Sequence, residues 1–505
     1  MESFQGRSLH SDDAGAFAGS HAPRSRTWMA GLATLLAAAC APSTAGRPFQ
    51  VVSGLVSHNL CSEVFVSKLS PERAYAESIA SRPGMGLVDW AIRYEVDAEQ
   101  RSVTTTVGGA FASRAIVRDG LGCLVLQGAE PDRVDLVAAT TGAMLLPEVA
   151  GPTIVEPDDA RLRGALDRAF AEPDAGPPLR TRAIVVVHDD RVIAERYAPG
   201  IAVDTPLLGY SATKSVVSAL VGILVRQGRL AIDRPAPVET WSDPNDPRHA
   251  ITIDHLLRMT SGLALAESGS PYSPVARMLY AERDMARYAE SVALDDPPGT
   301  QWRYTSGNTL IVSRVVREAV GGKAEDVIRF VRHELFDPLG MRSAVLELDA
   351  AGTPLGSTYL LASARDWARF GQLYLHDGMA GEHRILPEGW VQLSTTPSLD
   401  TGYGAGFWTN RVQGNIPWSS VPWAIPGAPA DSFAARGLGG QYVVVVPSRQ
   451  LVVVRLGASH EDGSMQSLSR LLSDVMIVLD DSAKAGTMDS GPRSSATSRE
   501  LSALR

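Results

Sequence analysis

Two apolar hairpins at opposite ends of one long region constrain this fold more than any other feature. Residues 183–187 and 192–197 flank the turn His188-Asp189-Asp190, and residues 441–446 and 451–456 flank Pro447-Ser448-Arg449-Gln450. Between them the apolar spacing is helical, over 211–227, 253–259, 309–319, 324–334 and 364–376, and an amphipathic helix at 160–171 precedes the first hairpin. Strands at both ends with helices between predict an α+β fold. Its antiparallel sheet is built from N- and C-terminal strands and packed on helices, with a helical lobe beside it.

The chain has 505 residues, more than one ordinary core accommodates. Arg24 and Arg26 precede an apolar run from Trp28 to Ala39 that ends in Leu36-Ala37-Ala38-Ala39-Cys40. This reads as an export leader over 1–45, too short for a permanent membrane span. Small residues before Cys40 fit a bacterial lipobox, which would lipidate that cysteine; the plainer reading is ordinary signal cleavage nearby. Either way the expected location is the bacterial periplasm or envelope, with membrane contact only through a lipid on Cys40. Residues 46–150 read as a small β-rich unit, opening on a helix start at Ser70-Pro71-Glu72. In it Trp90, Ile92, Tyr94 and Val96 alternate with polar neighbours, and residues 101–107 return as a second strand. The main domain covers 151–480, and residues 481–505, rich in Ser, Gly, Ala and charge, read as a disordered tail.

Two cysteines remain beside Cys40. In an exported protein Cys61 and Cys123 read as a disulfide, the alternative being two separate buried thiols. No Cys-x-x-Cys or His-Glu-x-x-His spacing occurs, so neither a metal nor another cofactor is expected. With 47 basic and 56 acidic residues the net charge is −9, which gives no broad positive field for a nucleic-acid backbone.

Only four of the basic residues are lysines, Lys68, Lys214, Lys323 and Lys484. Where arginine supplies most of the positive charge, a lysine in an apolar helix stands out, because it can lose its proton and arginine cannot. Ser211-Ala212-Thr213-Lys214 opens such a helix, and the three-residue spacing puts the hydroxyl and the amine on one face. Free N–H groups at the helix start favour negative charge beside Ser211. Alone, Ser-x-x-Lys is a weak signal, compatible with a capping serine and a solvated lysine. Gln301-Trp302-Arg303-Tyr304-Thr305-Ser306-Gly307-Asn308 adds a phenol whose phenolate a nearby Lys214 would favour, making Tyr304 a candidate proton shuttle; the plainer reading is a packing tyrosine before a turn, with Asn308 as a helix cap. Ala435-Arg436-Gly437-Leu438-Gly439-Gly440 leads into the last hairpin, where glycines allow close approach and a backbone N–H, by position that of Leu438, can join that of Ser211 as an oxyanion hole. By itself this stretch reads better as a Gly-rich bulge at a strand entry. Tyr403, Phe407, Trp408, Trp418 and Trp423 read first as core and second as pocket wall, and His255 as a packed helix residue.

Taken in order, Ser211-x-x-Lys214, the stretch Ile251-Thr252-Ile253-Asp254-His255-Leu256-Leu257-Arg258-Met259-Thr260-Ser261-Gly262-Leu263, Tyr304-x-Ser306 and the late Gly-rich strand resemble the β-lactamase-related serine hydrolases. Within them the class C-like branch of esterases and 6-aminohexanoate-dimer hydrolase is nearest. The resemblance spans about residues 180 to 465 and implies Ser211 as nucleophile, Lys214 as its activator, Tyr304 as base and later acid, and Ser306 in the place often held by asparagine. It implies a small-molecule ester, amide or lactam as substrate. One departure bears on the substrate: β-lactamases of this branch open the third motif with Lys or His, which holds the substrate carboxylate, whereas this chain has Arg436 and the apolar Leu438. Arg436 is the candidate replacement as anion partner, and Leu438 favours neutral esters or amides. Alternatives on the same fold are a D-Ala-D-Ala peptidase, a true β-lactamase and a non-catalytic envelope-binding protein.

Overall fold

The computed structural model describes residues 47–128, 134, 142–268, 270, 272–417, 421–459 and 463–489. The leader with Cys40, Trp418 and residues 490–505 of the expected tail lie outside the described residues. The longer elements are numbered here in chain order.

The first hairpin is β5 (Thr181–His188) and β6 (Arg191–Tyr197), and Asp189 and Asp190 turn it with φ of 46° and 64°. Two consecutive positive φ values are what a tight two-residue hairpin requires, and aspartate tolerates them better than most residues. The late strands are β7 (Trp408–Thr409), β8 (Phe433–Gly437), β9 (Gln441–Val446) and β10 (Leu451–Gly457). Chain ends meet where β10 pairs antiparallel with β5, Val452 opposite Val187 and Val454 opposite Val185, giving one open six-stranded sheet in the order β7-β8-β9-β10-β5-β6.

Period-2 alternation then assigns each face of the sheet its own core. Val185, Val187, Val452 and Val454 belong to the large central core, where Gly371 of α5 (Ala364–Leu375) lies against the side chains of Val443 and Val452. Ile184, Val186, Leu451 and Val453 face the other way, onto α2 (Ala160–Phe170) and α6 (Gly463–Asp489) through Leu162, Leu166, Leu468 and Leu472. The α6 helix carries the chain past Asp481, where a disordered tail was expected to begin, as far as Asp489. Its Asp480 and Asp481 pair with Arg449 and Arg161, so charge that reads as tail-like serves as helix anchoring.

Two further helices frame the site. In α3 (Thr213–Arg226) every residue from Thr213 to Leu224 is buried, so Lys214 does not stand on a solvated surface. The second, α4 (Ser306–Val320), starts under Thr305, whose hydroxyl accepts from the Gly307 N–H; the cap is therefore Thr305 and not Asn308.

Ahead of these, α1 (Arg47–Cys61) lies on a four-stranded meander of β1 (Ile92–Asp97), β2 (Ser102–Val107), β3 (Phe111–Arg118) and β4 (Gly122–Val125). The sequence reading found β1 and β2 but not β3, β4 or α1, whose apolar residues Val51, Val52, Val56 and Leu60 are interleaved with serines. Those serines are buried because they have partners: Ser53 and Ser57 both bind Ser113 of β3. Strand β1 begins after Trp90, which sits in a tight turn, donates to the Leu87 carbonyl at 3.1 Å and is 77% exposed. Gly54 lets α1 approach the backbone of Tyr280 so closely that a Cβ would collide with it. The described residues from 47 to 489 form one compact unit, and α1 and the meander share the central core with α3 and α4.

Cys61 at the end of α1 and Cys123 of β4 are joined as a disulfide across 62 residues. Closing a loop of that length restricts the unfolded chain by roughly 4 kcal/mol in the chain-entropy model. Replacing both cysteines by alanine should lower the thermal midpoint by several degrees, and adding reductant to the wild type should reproduce the shift in calorimetry. A midpoint indifferent to both changes would show that the bridge does not stabilise the domain.

Candidate functional site

Ser211 lies in a single 3₁₀ turn, Tyr210–Ala212, that feeds directly into α3. Tyr210 before it has φ of 46°, a left-handed conformation that an aromatic residue adopts at a cost of roughly 1–3 kcal/mol. This turn and the end of β8 touch at Gly437. A Cβ there would collide with the Gly209 carbonyl and stand 3.1 Å from the Ser211 nitrogen, so only glycine allows the strand to lie against the serine's own N–H. Leu438 follows, half exposed at 50%, with its carbonyl turned to the Gln441 side chain at 3.0 Å. Gly439 shapes the turn, at φ of 82°.

The centre of the site is the Lys214 amine, which is 2% exposed. Its Nζ lies 2.9 Å from Ser211 Oγ, 3.2 Å from Ser306 Oγ and 3.0 Å from the Ser357 carbonyl. Burial pushes its pKa down to about 8, against a smaller upward pull from the Glu267 carboxylate. The partners decide where the hydrogens go. The Ser357 carbonyl can only accept. Ser306 donates its hydroxyl hydrogen to Glu267, at 3.1 and 2.9 Å from the two carboxylate oxygens, and so meets Lys214 as an acceptor. A neutral amine therefore spends both hydrogens on Ser306 and Ser357, and its lone pair is left facing Ser211.

Tyr304 stands against the same group. Lys214 Nζ is 4.8 Å from the centre of its ring, and its phenol and the Ser211 hydroxyl share a hydrogen bond that favours the phenolate. Burial outweighs that bond, with Tyr403 and Glu267 adding to it, and holds the Tyr304 pKa well above that of a free phenol. This corrects the sequence expectation that Lys214 makes the phenolate the favoured form: an amine with its own pKa lowered supplies too little positive charge to offset desolvation. Tyr304 rests as the neutral phenol.

Arg436 is a second correction. It is not aimed at a ligand: its guanidinium donates to the carbonyls of Pro422 at 3.0 Å and Trp423 at 2.6 Å and lies over the Trp408 ring at 5.5 Å, while burial lowers its pKa to about 10. Asn308 faces Ser261, whose hydroxyl donates to its amide oxygen at 2.8 Å, and so ties α4 to the Thr260-Ser261-Gly262 turn. His255 completes a capping box with Thr252. Tyr403, Trp408 and Trp423 form a buried cluster with Met259 and Tyr304 and wall the phenol, whereas Phe407 belongs to the central core with Tyr374.

Glu267 was missed by the sequence reading. Besides the Ser306 hydroxyl it takes the Ser306 N–H at 2.7 Å. The sequence offers only its place five residues beyond Gly262, and one glutamate among 56 acidic residues carries no signal until the fold brings it to α4. Among the described residues no cluster of His, Cys, Asp or Glu suits a metal ion, and no helix is long and apolar enough to cross a membrane.

Comparison with known proteins adds the following. The family model described as Beta-lactamase matches residues 166–475. A 6-aminohexanoate-dimer hydrolase from Paenarthrobacter ureafaciens is 24% identical over 289 residues, 55% of this chain and 72% of that protein. Among solved structures, a putative 6-aminohexanoate-dimer hydrolase from Bacillus anthracis aligns with a TM-score of 0.51 at 20% identity, over 67% of this chain and 90% of its own. A family VIII carboxylesterase aligns with a TM-score of 0.48 at 14% identity, over 65% and 99%.

With four lysines in the chain, 13Cε-lysine labelling gives few enough NMR signals to follow each one. One, absent in Lys214→Met, should titrate near pH 8. Glu267→Gln should move that midpoint lower, because the replaced carboxylate is what favours the ammonium. A midpoint left at the usual lysine value would contradict the burial argument.

Proposed function

This chain belongs to the beta-lactamase family, and from that premise we propose that it is a serine hydrolase that forms an acyl-enzyme on Ser211 and hydrolyses neutral esters or amides. The family's fold carries hydrolases, and the curated relative is by name the hydrolase of an aminohexanoate dimer. The single observation that carries the reading is the hydrogen accounting at Lys214, which leaves a lone pair for the Ser211 hydroxyl.

The cycle proceeds as follows. Ser211 Oγ attacks the carbonyl carbon and gives its proton to neutral Lys214, while the Ser211 N–H and the N–H at Leu438 hold the oxyanion. The tetrahedral adduct collapses when the Tyr304 phenol protonates the leaving oxygen or nitrogen, and the Lys214 ammonium restores the phenol's hydrogen. Water then attacks the acyl-enzyme, its proton passes to the Tyr304–Lys214 pair, and Ser211 leaves with that proton. No metal or organic cofactor enters any step.

Two observations favour a neutral substrate over a penicillin. Arg436 is committed to backbone carbonyls, and the residue presented beside the strand edge is the exposed, apolar Leu438. A chromogenic cephalosporin set against a short-chain nitrophenyl ester and a nitroanilide separates these readings; preferential turnover of the cephalosporin would favour a true β-lactamase. A non-catalytic binding role predicts no labelling of the wild type by a fluorophosphonate. The Cys61–Cys123 disulfide supports the proposal that the protein matures in an oxidising compartment such as the periplasm or envelope.

Ser211→Ala should remove at least ~10³-fold of ester hydrolysis, and Lys214→Arg nearly as much, because guanidinium cannot yield its proton. The acid limb of kcat/KM should rise with slope one through pH about 8, since Lys214 must be neutral to accept the serine's proton. An active Lys214→Arg enzyme would overturn the role given to the amine.

A further inference from the structure

Residues 47–128 precede the family match, which begins at residue 166. They nevertheless reach the side chains of Tyr210 and Tyr359, on either side of the Ser211–Lys214 pair. Arg82, which follows the helical segment Ala76–Ala80, donates from Nη2 to the Tyr210 hydroxyl at 2.9 Å and to the Asn59 amide oxygen at 3.0 Å, and from Nε to the Ser78 carbonyl at 2.7 Å. Its guanidinium carbon lies 5.5 Å from the centre of the Tyr210 ring. Tyr210 is the left-handed residue immediately before Ser211, and it is buried.

Asn59 of α1 carries the connection to the other side. Its Nδ2 donates to the Tyr359 hydroxyl at 3.2 Å, and the neighbouring His58 stacks on the Tyr359 ring at 3.9 Å. Tyr359 lies two residues after Ser357, whose carbonyl holds Lys214 Nζ. The N-terminal segment is itself fixed at this place by Glu347. That fully buried carboxylate receives His58 Nε2 at 2.7 Å, the Ser62 hydroxyl at 2.8 Å and the Cys123 N–H at 2.8 Å, and the Glu347 N–H donates to the Tyr359 carbonyl at 3.0 Å.

We propose that Arg82 and Asn59 are positioning residues for the nucleophile and its base, and that the N-terminal segment completes the site from outside it. This rests on the functional reading of Ser211 and Lys214 above. Arg82 holds Tyr210 in a conformation it would not adopt unaided, which sets the direction of Ser211 Oγ. Asn59 joins that latch to Tyr359 and so to the turn that supplies the Ser357 acceptor. Neither side chain touches the reacting atoms.

The test uses Arg82→Met, Arg82→Lys and Tyr210→Phe in the full chain, with active sites counted by fluorophosphonate titration and kcat and KM measured on a nitrophenyl ester. For Arg82→Met the expected result is a fall in kcat per titrated site of roughly 10- to 100-fold with KM changed less than about threefold, because a displaced nucleophile loses rate and not binding. Arg82→Lys, which keeps a cationic donor but loses the fork of the guanidinium, should fall between it and the wild type. Tyr210→Phe removes only the accepting oxygen and should lower kcat in the same direction; it carries the test if Arg82→Met does not fold. A variant with fewer active sites or a lower thermal midpoint but wild-type kcat per site overturns the proposal, since that is what a merely structural role gives. A wild type that neither turns over esters nor takes the fluorophosphonate overturns the functional reading itself, a different failure from unchanged kcat in an active enzyme.

Discussion

One buried amine organises this molecule's chemistry. Taking the Lys214 pKa from an ordinary lysine value to about 8 means that its surroundings disfavour the ammonium by roughly 3 kcal/mol relative to water. A group held that way is useful only if its lone pair has somewhere to point. Ser357 and Ser306 take the two hydrogens, and Ser306 does so because Glu267 has already taken its own. The charge of Glu267 also favours the ammonium, so the same carboxylate orients the network and limits how far the pKa falls. Its partial exposure is consistent with that moderate role.

The scaffold makes this arrangement by bringing distant segments to one sheet edge. Pairing of β10 with β5 joins the two ends of the domain, and β8, two strands away, delivers Gly437 against the turn that carries Ser211. Neither half of the domain holds the proposed oxyanion site by itself. The two N–H groups proposed for it come from a 3₁₀ turn after the first hairpin and from a glycine-lined strand end before the last.

Much of this was legible in the sequence. The hairpins were readable because period-2 alternation is a local property, and Ser211 with Lys214 because a lysine in an apolar helix among so many arginines stands out. What escaped depends on contacts between residues far apart. The buried face of α1 is cut by Ser53 and Ser57, whose partner Ser113 lies on another element, so its pattern looks polar until the fold pairs it. Tyr304 appeared poised as a phenolate because proximity to Lys214 can be inferred from motifs, but desolvation by Tyr403, Trp408 and Trp423 cannot. Arg436 appeared to be a ligand partner because its sequence position is right; which carbonyls its guanidinium meets is settled by the path of 422–423.

The two corrections bear on the same question, how the enzyme divides acid and base work. If Tyr304 rested as phenolate, it and Lys214 would compete for the Ser211 proton. Because burial keeps the phenol neutral, the proposed cycle can separate the roles: the amine, with the lower pKa, would take the proton, and the phenol, which already holds one, would give it to the leaving group. The aromatic wall around Tyr304 therefore does more than exclude water. By raising the cost of the phenolate it favours the proposed direction of proton flow, and the Arg436 guanidinium, still a cation, is committed to Trp408 and the carbonyls of 422–423.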